Sequence, residues 1–216
     1  MKVAIIDYNM GNLFSVKRAL AFVGIESIIT NDKKEIKSSD AAILPGVGAF
    51  GEALNNLKRN DLIVPILDFI NSGKPFMGIC LGMQLLFTKS YEFGCHNGLD
   101  VIKGDIVRFE NETKKSKKVK VPHVSWNQIN RINGKNEPWE ASLLQETNDG
   151  AYMYFVHSYY AKPEHDSYIL CTSCYGDIKY CSGVKKENVE AFQFHPERSG
   201  KEGLKILQQF KKRIEH

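Results

Sequence analysis

The chain has 216 residues, of which 43% are hydrophobic and 25% are charged, and its formal net charge is +4. A chain of this length can bury a substantial core, and we predict that residues 1–216 form one globular domain. No apolar stretch approaches the roughly 20 residues that a membrane-spanning helix needs, which argues against a membrane role. The N-terminal run lacks the long apolar core of a signal peptide, so we expect a cytoplasmic protein.

Strand and helix patterns alternate along the first half of the chain. Hydrophobic runs between turn signals predict strands at residues 2–7, 27–30, 40–44 and 75–79. Helical spacing predicts helices at residues 13–22, 50–70 with a break near Asp61, and 83–87. This order predicts a mainly parallel sheet covered by helices on both faces, with ligands at the carboxyl ends of the strands.

From residue 98 onward the pattern becomes rich in strands. We predict strands at residues 101–109, 152–160, 168–174 and 189–194, arranged as hairpins beside the main sheet. Residues 201–214 carry apolar side chains at helical spacing and predict a closing helix. The predicted fold class is therefore α/β, a three-layer domain with a mostly parallel central sheet and flanking antiparallel strands.

Part of the positive charge lies in residues 114–120, the run Lys-Lys-Ser-Lys-Lys-Val-Lys. Such a run can attract a phosphorylated ligand or an acidic partner. No aromatic residues interleave with these lysines, as a platform for single-stranded nucleic acid would require. We therefore interpret the run as a solvated hairpin tip and predict no nucleic-acid partner.

The five cysteines are an odd number, which fits a reducing compartment and one reactive thiol better than a disulfide framework. Cys171 and Cys174 are three apart in a predicted strand, where they point to opposite faces and cannot chelate one ion. We interpret them as structural residues and predict no metal site. Cys95 has no accompanying motif.

Cys80 lies between two glycines in the run Gly-Ile-Cys-Leu-Gly, residues 78–82, where a buried strand meets a helix. This is the cysteine form of a nucleophile elbow, whose tight turn presents the central side chain outward and needs small neighbours on both sides. The alternative is a small buried hydrophobic residue, which is what most free cysteines are. The elbow pattern favours the nucleophile and points the N–H of Leu81 toward a developing oxyanion.

A base for this thiol is predicted at His195, in the run His-Pro-Glu that ends an extended segment. The proline disfavours a helical backbone at the histidine, so the imidazole lies at a strand end. Glu197 is within reach of the second ring nitrogen and could orient the ring as the third member of a triad does. His-x-Glu alone is weak evidence, but together with the elbow it predicts thiol catalysis.

The segment at residues 44–50, Leu-Pro-Gly-Val-Gly-Ala-Phe, follows a predicted strand. Its two close glycines let backbone approach a ligand and aim an N–H at developing charge. A phosphate-binding loop is the rival interpretation, but the Lys-Ser/Thr of a P-loop is missing. An oxyanion loop therefore fits better.

These three segments resemble, in order and spacing, the signatures of triad-type (class I) glutamine amidotransferases. Three further segments resemble the glutaminase subunits of imidazole glycerol phosphate synthases, and the similarity runs almost the whole length of the chain. They are Asp-Tyr-Asn-Met-Gly-Asn at 7–12, Val-Pro-His-Val-Ser-Trp-Asn at 121–127 and Tyr-Phe-Val-His-Ser-Tyr at 154–159.

The resemblance implies an enzyme that hydrolyses glutamine and passes ammonia to a cyclase subunit of (β/α)8-barrel type, as a heterodimer. That cyclase makes imidazole glycerol phosphate and aminoimidazole carboxamide ribotide in histidine biosynthesis. No cofactor and no metal are implied. The implied catalytic residues are Cys80, His195 and Glu197; the oxyanion and glutamine-binding residues are Gly46, Val47, Gly48, Leu81, Gln84, Ser158 and Tyr159; and the partner-facing residues are Asn12, Trp126 and Arg198.

Two departures from the family pattern bear on the partner. Val124 and Ser125 stand where Met-Gly is usual, and Arg198 stands where Lys is common. Paralogous glutaminase subunits that serve amidination of surface-polysaccharide sugars are therefore an alternative.

A cysteine peptidase or γ-glutamyl hydrolase could share the elbow and the histidine, but Gln84 and the glycine loop argue against both. A degenerate subunit kept only for assembly is opposed by the intact triad. His123 and His157 lie within the family-like segments, and we assign them no chemistry.

Overall fold

The computed structural model describes residues 1–110, 119–132 and 137–215. Residues 114–118 of the lysine-rich run lie outside these ranges, so the hairpin tip there stays a prediction. In the described part of the chain, no helix is long and apolar enough to cross a membrane.

The described residues form strands and helices that alternate at first and then become mainly strands. The strands are β1 (Lys2–Ile6), β2 (Glu26–Thr30), β3 (Ala41–Gly46), β4 (Phe76–Cys80), β5 (Phe87–Ser90), β6 (His96–Asn97), β7 (Ile102–Arg108), β8 (His123–Ile129), β9 (Ala151–His157), β10 (Tyr159–Pro163), β11 (Ile169–Tyr175), β12 (Ile178–Lys186) and β13 (Val189–Phe192). The helices are α1 (Leu13–Phe22), α2 (Lys33–Ser38), α3 (Phe50–Arg59), α4 (Ile63–Asn71), α5 (Leu81–Leu85), α6 (Glu137–Glu140) and α7 (Gly200–Glu215).

One large sheet carries the fold, with strands in the order β2-β1-β3-β4-β13-β12-β10-β7-β5-β6 and β11 paired to β12. The first four pairs in this order, β2–β1, β1–β3, β3–β4 and β4–β13, are parallel. The next three, β13–β12, β12–β10 and β10–β7, are antiparallel. A second sheet joins β8 and β9. The predicted fold class is confirmed.

The layers follow from the alternation of side chains along the buried strands. Val3 and Ile5 of β1 face the core that includes α1 and α7, and Ala4 and Ile6 face the core under α3 and α4. Because both faces of these parallel strands are buried, their sequences are continuous apolar runs without polar alternation. The break in the predicted long helix is also present, because Asp61 has a positive φ of 50° between α3 and α4.

Two local predictions differ from the structure, and strands β5, β6, β8 and β12 were not predicted. The helix expected at residues 83–87 spans Leu81–Leu85, and Phe87 instead opens β5, where it pairs with Ile102 of β7. The strand expected at 152–160 is two strands, β9 in the small sheet and β10 in the large one, separated at Ser158. Helix α2 was not predicted, although Asp32 caps it by accepting from two backbone N–H groups.

Cys171 is buried and Cys174 is exposed on the same strand, β11. Their different surroundings match the prediction that residues three apart on a strand point to opposite faces.

Candidate active site

Three neighbouring strands end at one place. β4 ends at Cys80, β3 on one side leads into the glycine loop, and β13 on the other side leads to His195. The carboxyl ends of parallel strands lie at the same edge of a sheet, so the three segments singled out in the sequence meet there.

Cys80 has the strained backbone of a nucleophile elbow, with φ 55° and ψ −110°. Such a conformation is rare for a non-glycine residue and persists only when the surroundings enforce it. At Gly82 an added Cβ would lie 1.7 Å from the carbonyl oxygen of Leu44, so no larger residue fits. The first N–H groups of a helix lack intrahelical acceptors, which leaves the N–H of Leu81 in position to donate to an oxyanion.

His195 and Glu197 form a buried pair on the turn after β13. Nδ1 of His195 lies 2.8 Å from Oε1 of Glu197, and their side chains are 3% and 1% exposed. Ser199 Oγ donates to the carbonyl oxygen of His195 at 2.6 Å and fixes the turn. Because the carboxylate accepts from Nδ1–H, Nε2 is the ring nitrogen that can exchange a proton with a reacting group.

Cys80 and His195 interact through charge. Burial lowers the pKa of His195, but the Cys80 sulfur first and then Glu197 raise it to about 10. By distance and angle, Nε2 makes no hydrogen bond with any described residue. The sulfur and the Glu197 carboxylate together favour the protonated imidazolium form of His195.

A pocket of about 210 Å³ opens beside the sulfur. It brings together six residues predicted for the oxyanion and glutamine sites with Cys80, and four others. The lining residues are Val47, Gly48, Cys80, Leu81, Gln84, Glu92, Pro122, Val156, His157, Ser158 and Tyr159. Gly46 does not line the pocket; it ends β3 beneath it, where an added Cβ would lie 2.2 Å from the hydroxyl of Tyr8.

The amide group of Gln84 is held from inside the protein. Its Nε2 donates to the carbonyl oxygen of Tyr159 at 3.1 Å and to Oε1 of Gln193 at 2.9 Å. Both N–H groups are therefore occupied, and Oε1 is the atom left to meet a ligand. The Tyr159 carbonyl also accepts from Nδ1 of His157 at 2.8 Å, so its two lone pairs are used as well.

Three residues at the site were missed in the sequence. Glu92 places a carboxylate in the pocket, where it also accepts from the N–H of Phe50 at 2.6 Å. Gln193 is fully buried with Nε2 3.6 Å from the Cys80 sulfur. The Tyr8 hydroxyl is buried near Cys80, and burial followed by that charge raises its pKa far above the ordinary value. The glutamine preceding the Phe-His-Pro-Glu run was visible in the sequence, whereas nothing marked Glu92.

His123 and His157 are buried and hydrogen-bonded to each other. Burial lowers the pKa of His123 to about 4 and that of His157 to about 3. Because Nδ1 of His157 donates to a carbonyl, its Nε2 must accept from Nδ1–H of His123 at 3.1 Å. Nε2 of His123 then accepts from Ser125 Oγ at 2.8 Å. Both rings are neutral, and each tautomer is fixed by its neighbours.

The predicted partner-facing residues are all exposed. Trp126 is 52% exposed on β8, its ring meets Tyr154 edge-on at 6.1 Å, and the Arg198 guanidinium lies 4.5 Å from the centre of the Tyr154 ring. Asn12 is exposed at the start of α1. Tyr154 also accepts from the N–H of His195 through its carbonyl oxygen at 3.0 Å, which connects this face with the site.

A comparison with known proteins identifies the class of enzyme to which the chain belongs. The family model described as glutamine amidotransferase class-I matches residues 4–214. A solved structure described as a glutamine amidotransferase has the same fold, with a TM-score of 0.72, 17% identity and 99% coverage of each chain. The protein is therefore a class I glutamine amidotransferase.

Closer relatives give the family. The imidazole glycerol phosphate synthase subunit HisH of Geobacter metallireducens is 47% identical over 96% of this chain and 96% of its own length. The subunit of the same name from Aquifex aeolicus is 44% identical over 100% of this chain and 98% of its own. The chain belongs to the HisH family.

Proposed function

We propose that this chain hydrolyses glutamine to glutamate and ammonia, with Cys80 as nucleophile, His195 as acid and base, and Glu197 as the group that orients the histidine. The strained Cys80 beside the buried His195–Glu197 pair is the observation that carries the proposal. Family membership adds support for the reaction class.

The first half of the reaction forms a thioester. The Cys80 thiolate attacks the carboxamide carbon of glutamine, and the N–H of Leu81 together with that of Val47 or Gly48 donates to the oxyanion. The His195 imidazolium gives its proton to the nitrogen, the C–N bond breaks, and ammonia leaves. His195 is then neutral and ready to act as a base.

The second half releases glutamate. Neutral His195 takes a proton from water, and the hydroxide adds to the thioester carbon. The C–S bond breaks with return of the thiolate, and the new carboxyl group loses its proton to solvent. The resting thiolate–imidazolium pair is restored, and no cofactor is consumed.

The pocket offers acceptors for the amino-acid end of the substrate. Oε1 of Gln84 and the Glu92 carboxylate suit the α-ammonium group, since both accept hydrogen bonds and one carries negative charge. The carbonyl of Tyr159 is already occupied by two donors, so backbone contacts from Ser158 and Tyr159 are expected to involve other atoms.

We further propose that the ammonia passes to a cyclase subunit of (β/α)8-barrel type, which makes imidazole glycerol phosphate and aminoimidazole carboxamide ribotide. Relatives of 44–47% identity named as imidazole glycerol phosphate synthase subunits support this partner over one for polysaccharide amidination. Exposed Asn12, Trp126 and Arg198 would form the docking face.

The test is co-expression with the cyclase encoded in the same genome, followed by an assay of glutamine-dependent imidazole glycerol phosphate formation. Cys80→Ala should abolish the glutamine-dependent reaction and leave the ammonia-dependent one. Glutamine-dependent synthesis that survives this substitution would refute the catalytic proposal. Absence of binding and synthesis with that cyclase would refute the proposed partner.

A surface variant tests the docking face. Trp126→Ala should weaken binding of the cyclase roughly tenfold or more, because exposed tryptophans are often dominant residues of interfaces. Val64→Ala, an exposed apolar residue on α4 in the opposite layer, is the matched control and should bind like the parent. Equal losses in both variants would exclude the proposed face.

A further inference from the structure

Gln193 has no role in the mechanism above, yet it touches the reacting atom. It follows β13 directly, is fully buried, and places Nε2 3.6 Å from the Cys80 sulfur. This distance falls within the range of an N–H···S hydrogen bond. A buried glutamine with this contact is positioned to influence the nucleophile.

The orientation of the Gln193 amide follows from its neighbours. A backbone carbonyl only accepts, so the atom of Gln84 facing Tyr159 O must be the amide nitrogen. The same nitrogen lies 2.9 Å from the Gln193 side chain, which must therefore present its oxygen there. The nitrogen of Gln193 is left facing the sulfur, and the assignment depends on no choice of amide flip.

The two protonation states of Cys80 use different partners. As a thiol, the S–H can donate weakly to the carbonyl oxygen of Val156 at 3.8 Å. As a thiolate, the sulfur can only accept, and Gln193 supplies an N–H. A hydrogen bond to the charged form favours that form. Since Nε2 of His195 has no aligned partner at rest among the described residues, Gln193 is the side chain with a directed bond to the sulfur there.

We propose that Gln193 is a further catalytic residue, whose amide N–H donates to the Cys80 thiolate and keeps it ionised and aimed before glutamine enters. The proposal rests on the assignment of Cys80 as the nucleophile. The two glutamines then have different roles. Gln84 faces the pocket and holds the Gln193 amide in place, and Gln193 donates to the sulfur.

The experiment measures the reactivity of the sulfur directly. The rate of Cys80 alkylation by iodoacetamide is followed from pH 5 to 10 by peptide mass spectrometry, which separates Cys80 from the exposed Cys95 and Cys174. Gln193→Glu keeps an oxygen for Gln84, removes the donor and adds a negative charge beside the sulfur. Gln193→Met removes both groups at similar length. His195 and Tyr8, the titratable groups that act on the sulfur, are unchanged, as are Glu92 and His157 in the pocket.

The midpoint of the pH profile should lie about one unit higher in Gln193→Met, and at least as high in Gln193→Glu, so that at pH values below the parent midpoint alkylation is about tenfold slower. Glutaminase kcat should fall by a similar factor, and in Gln193→Glu, which keeps the oxygen that holds Gln84, KM should not change. Gln209→Met, a buried glutamine on α7, is the control and should leave the profile unchanged.

Two results overturn the proposal. If both profiles overlie that of the parent, the contact does not act on the sulfur. If only Gln193→Met shifts, the effect runs through the lost support of Gln84 and not through the donor. Thermal unfolding checks each variant, and if Gln193→Met does not fold, Gln193→Leu, which also removes both groups and adds no charge, takes its place. Alkylation needs neither glutamine nor a partner, so these results are separate from the Cys80→Ala test of glutaminase activity.

Discussion

Replacing Glu197 by Gln tests how much of the catalysis depends on the buried charge behind His195. The amide introduced at this position can still accept from Nδ1–H through its oxygen, so the ring keeps its orientation and loses only the carboxylate charge. Hydrogen bonds to charged groups contribute about 1.5–3 kcal/mol, against about 0.5–1.5 kcal/mol for neutral pairs. Loss of the carboxylate charge should therefore destabilise the imidazolium by roughly 1–1.5 kcal/mol. Solvent does not screen this loss, because the 2.8 Å contact is almost fully shielded from water.

The expected loss in kcat is therefore about tenfold. KM for glutamine should not change, because Glu197 does not line the pocket. The pKa of His195, about 10 in the parent, should fall, since Glu197 is one of the groups that raise it. Glutamate release by the complex with the cyclase and its acceptor substrate measures the kinetics, and NMR titration of the imidazole measures the pKa.

The control is Glu202→Gln, which removes the carboxylate that pairs with Lys205 at 2.7 Å on the partly exposed face of α7. It should alter neither kcat nor the His195 titration. An unchanged kcat in Glu197→Gln would refute the orienting role, and a loss confined to KM would place Glu197 in substrate binding instead.

Three further predictions follow from the geometry. Gly82→Ala should destabilise the fold by at least about 3 kcal/mol in urea denaturation, because its Cβ would lie 1.7 Å from Leu44 O; a change below about 1 kcal/mol contradicts this. Cys80→Ala should lower the pKa of His195 from about 10, measured by NMR, because the sulfur contributes most to raising it; an unchanged value contradicts the ion pair. Burial holds the pKa of His157 near 3, so below about pH 6.5 only the unfolded state takes up its proton and stability falls. His157→Asn should therefore lose roughly 2–3 kcal/mol less than the parent between about pH 7 and 4.5, and equal losses would contradict the assignment.

The parallel half of the fold could be predicted because its strands are buried on both faces and its helices carry clear periodicity. Predictions were wrong where tertiary pairing decided the outcome. Phe87 continues an apolar run from a helix, and only its pairing with Ile102 makes it a strand residue. The extended run through Ser158 contains no turn signal, since the chain stays extended while changing sheets.

The site was predicted to the extent that its groups lie in local patterns. Cys80 stands in an elbow, and His195 and Glu197 are two apart, so both are visible along the chain. Glu92 lies in a loop with no pattern around it and reaches the pocket through the fold alone. Gln193 was visible beside His195, but its contact with the sulfur depends on the register of β13 against β4.

Because the chain changes sheets at Ser158, the pocket beside Cys80 lies where the two sheets meet. Ser158 and Tyr159 line the pocket, yet β9 before them is bonded to β8, and β10 after them is bonded to β7 and β12. At the far end of the small sheet, Asn130 is tied to the main sheet by a bridge to Thr172. Between these two points, the N–H of Tyr154 in β9 donates to Ser199 Oγ and its carbonyl oxygen accepts from the N–H of His195. The lining of the pocket is therefore set by the way the two sheets meet, and not by the strands of the main sheet alone.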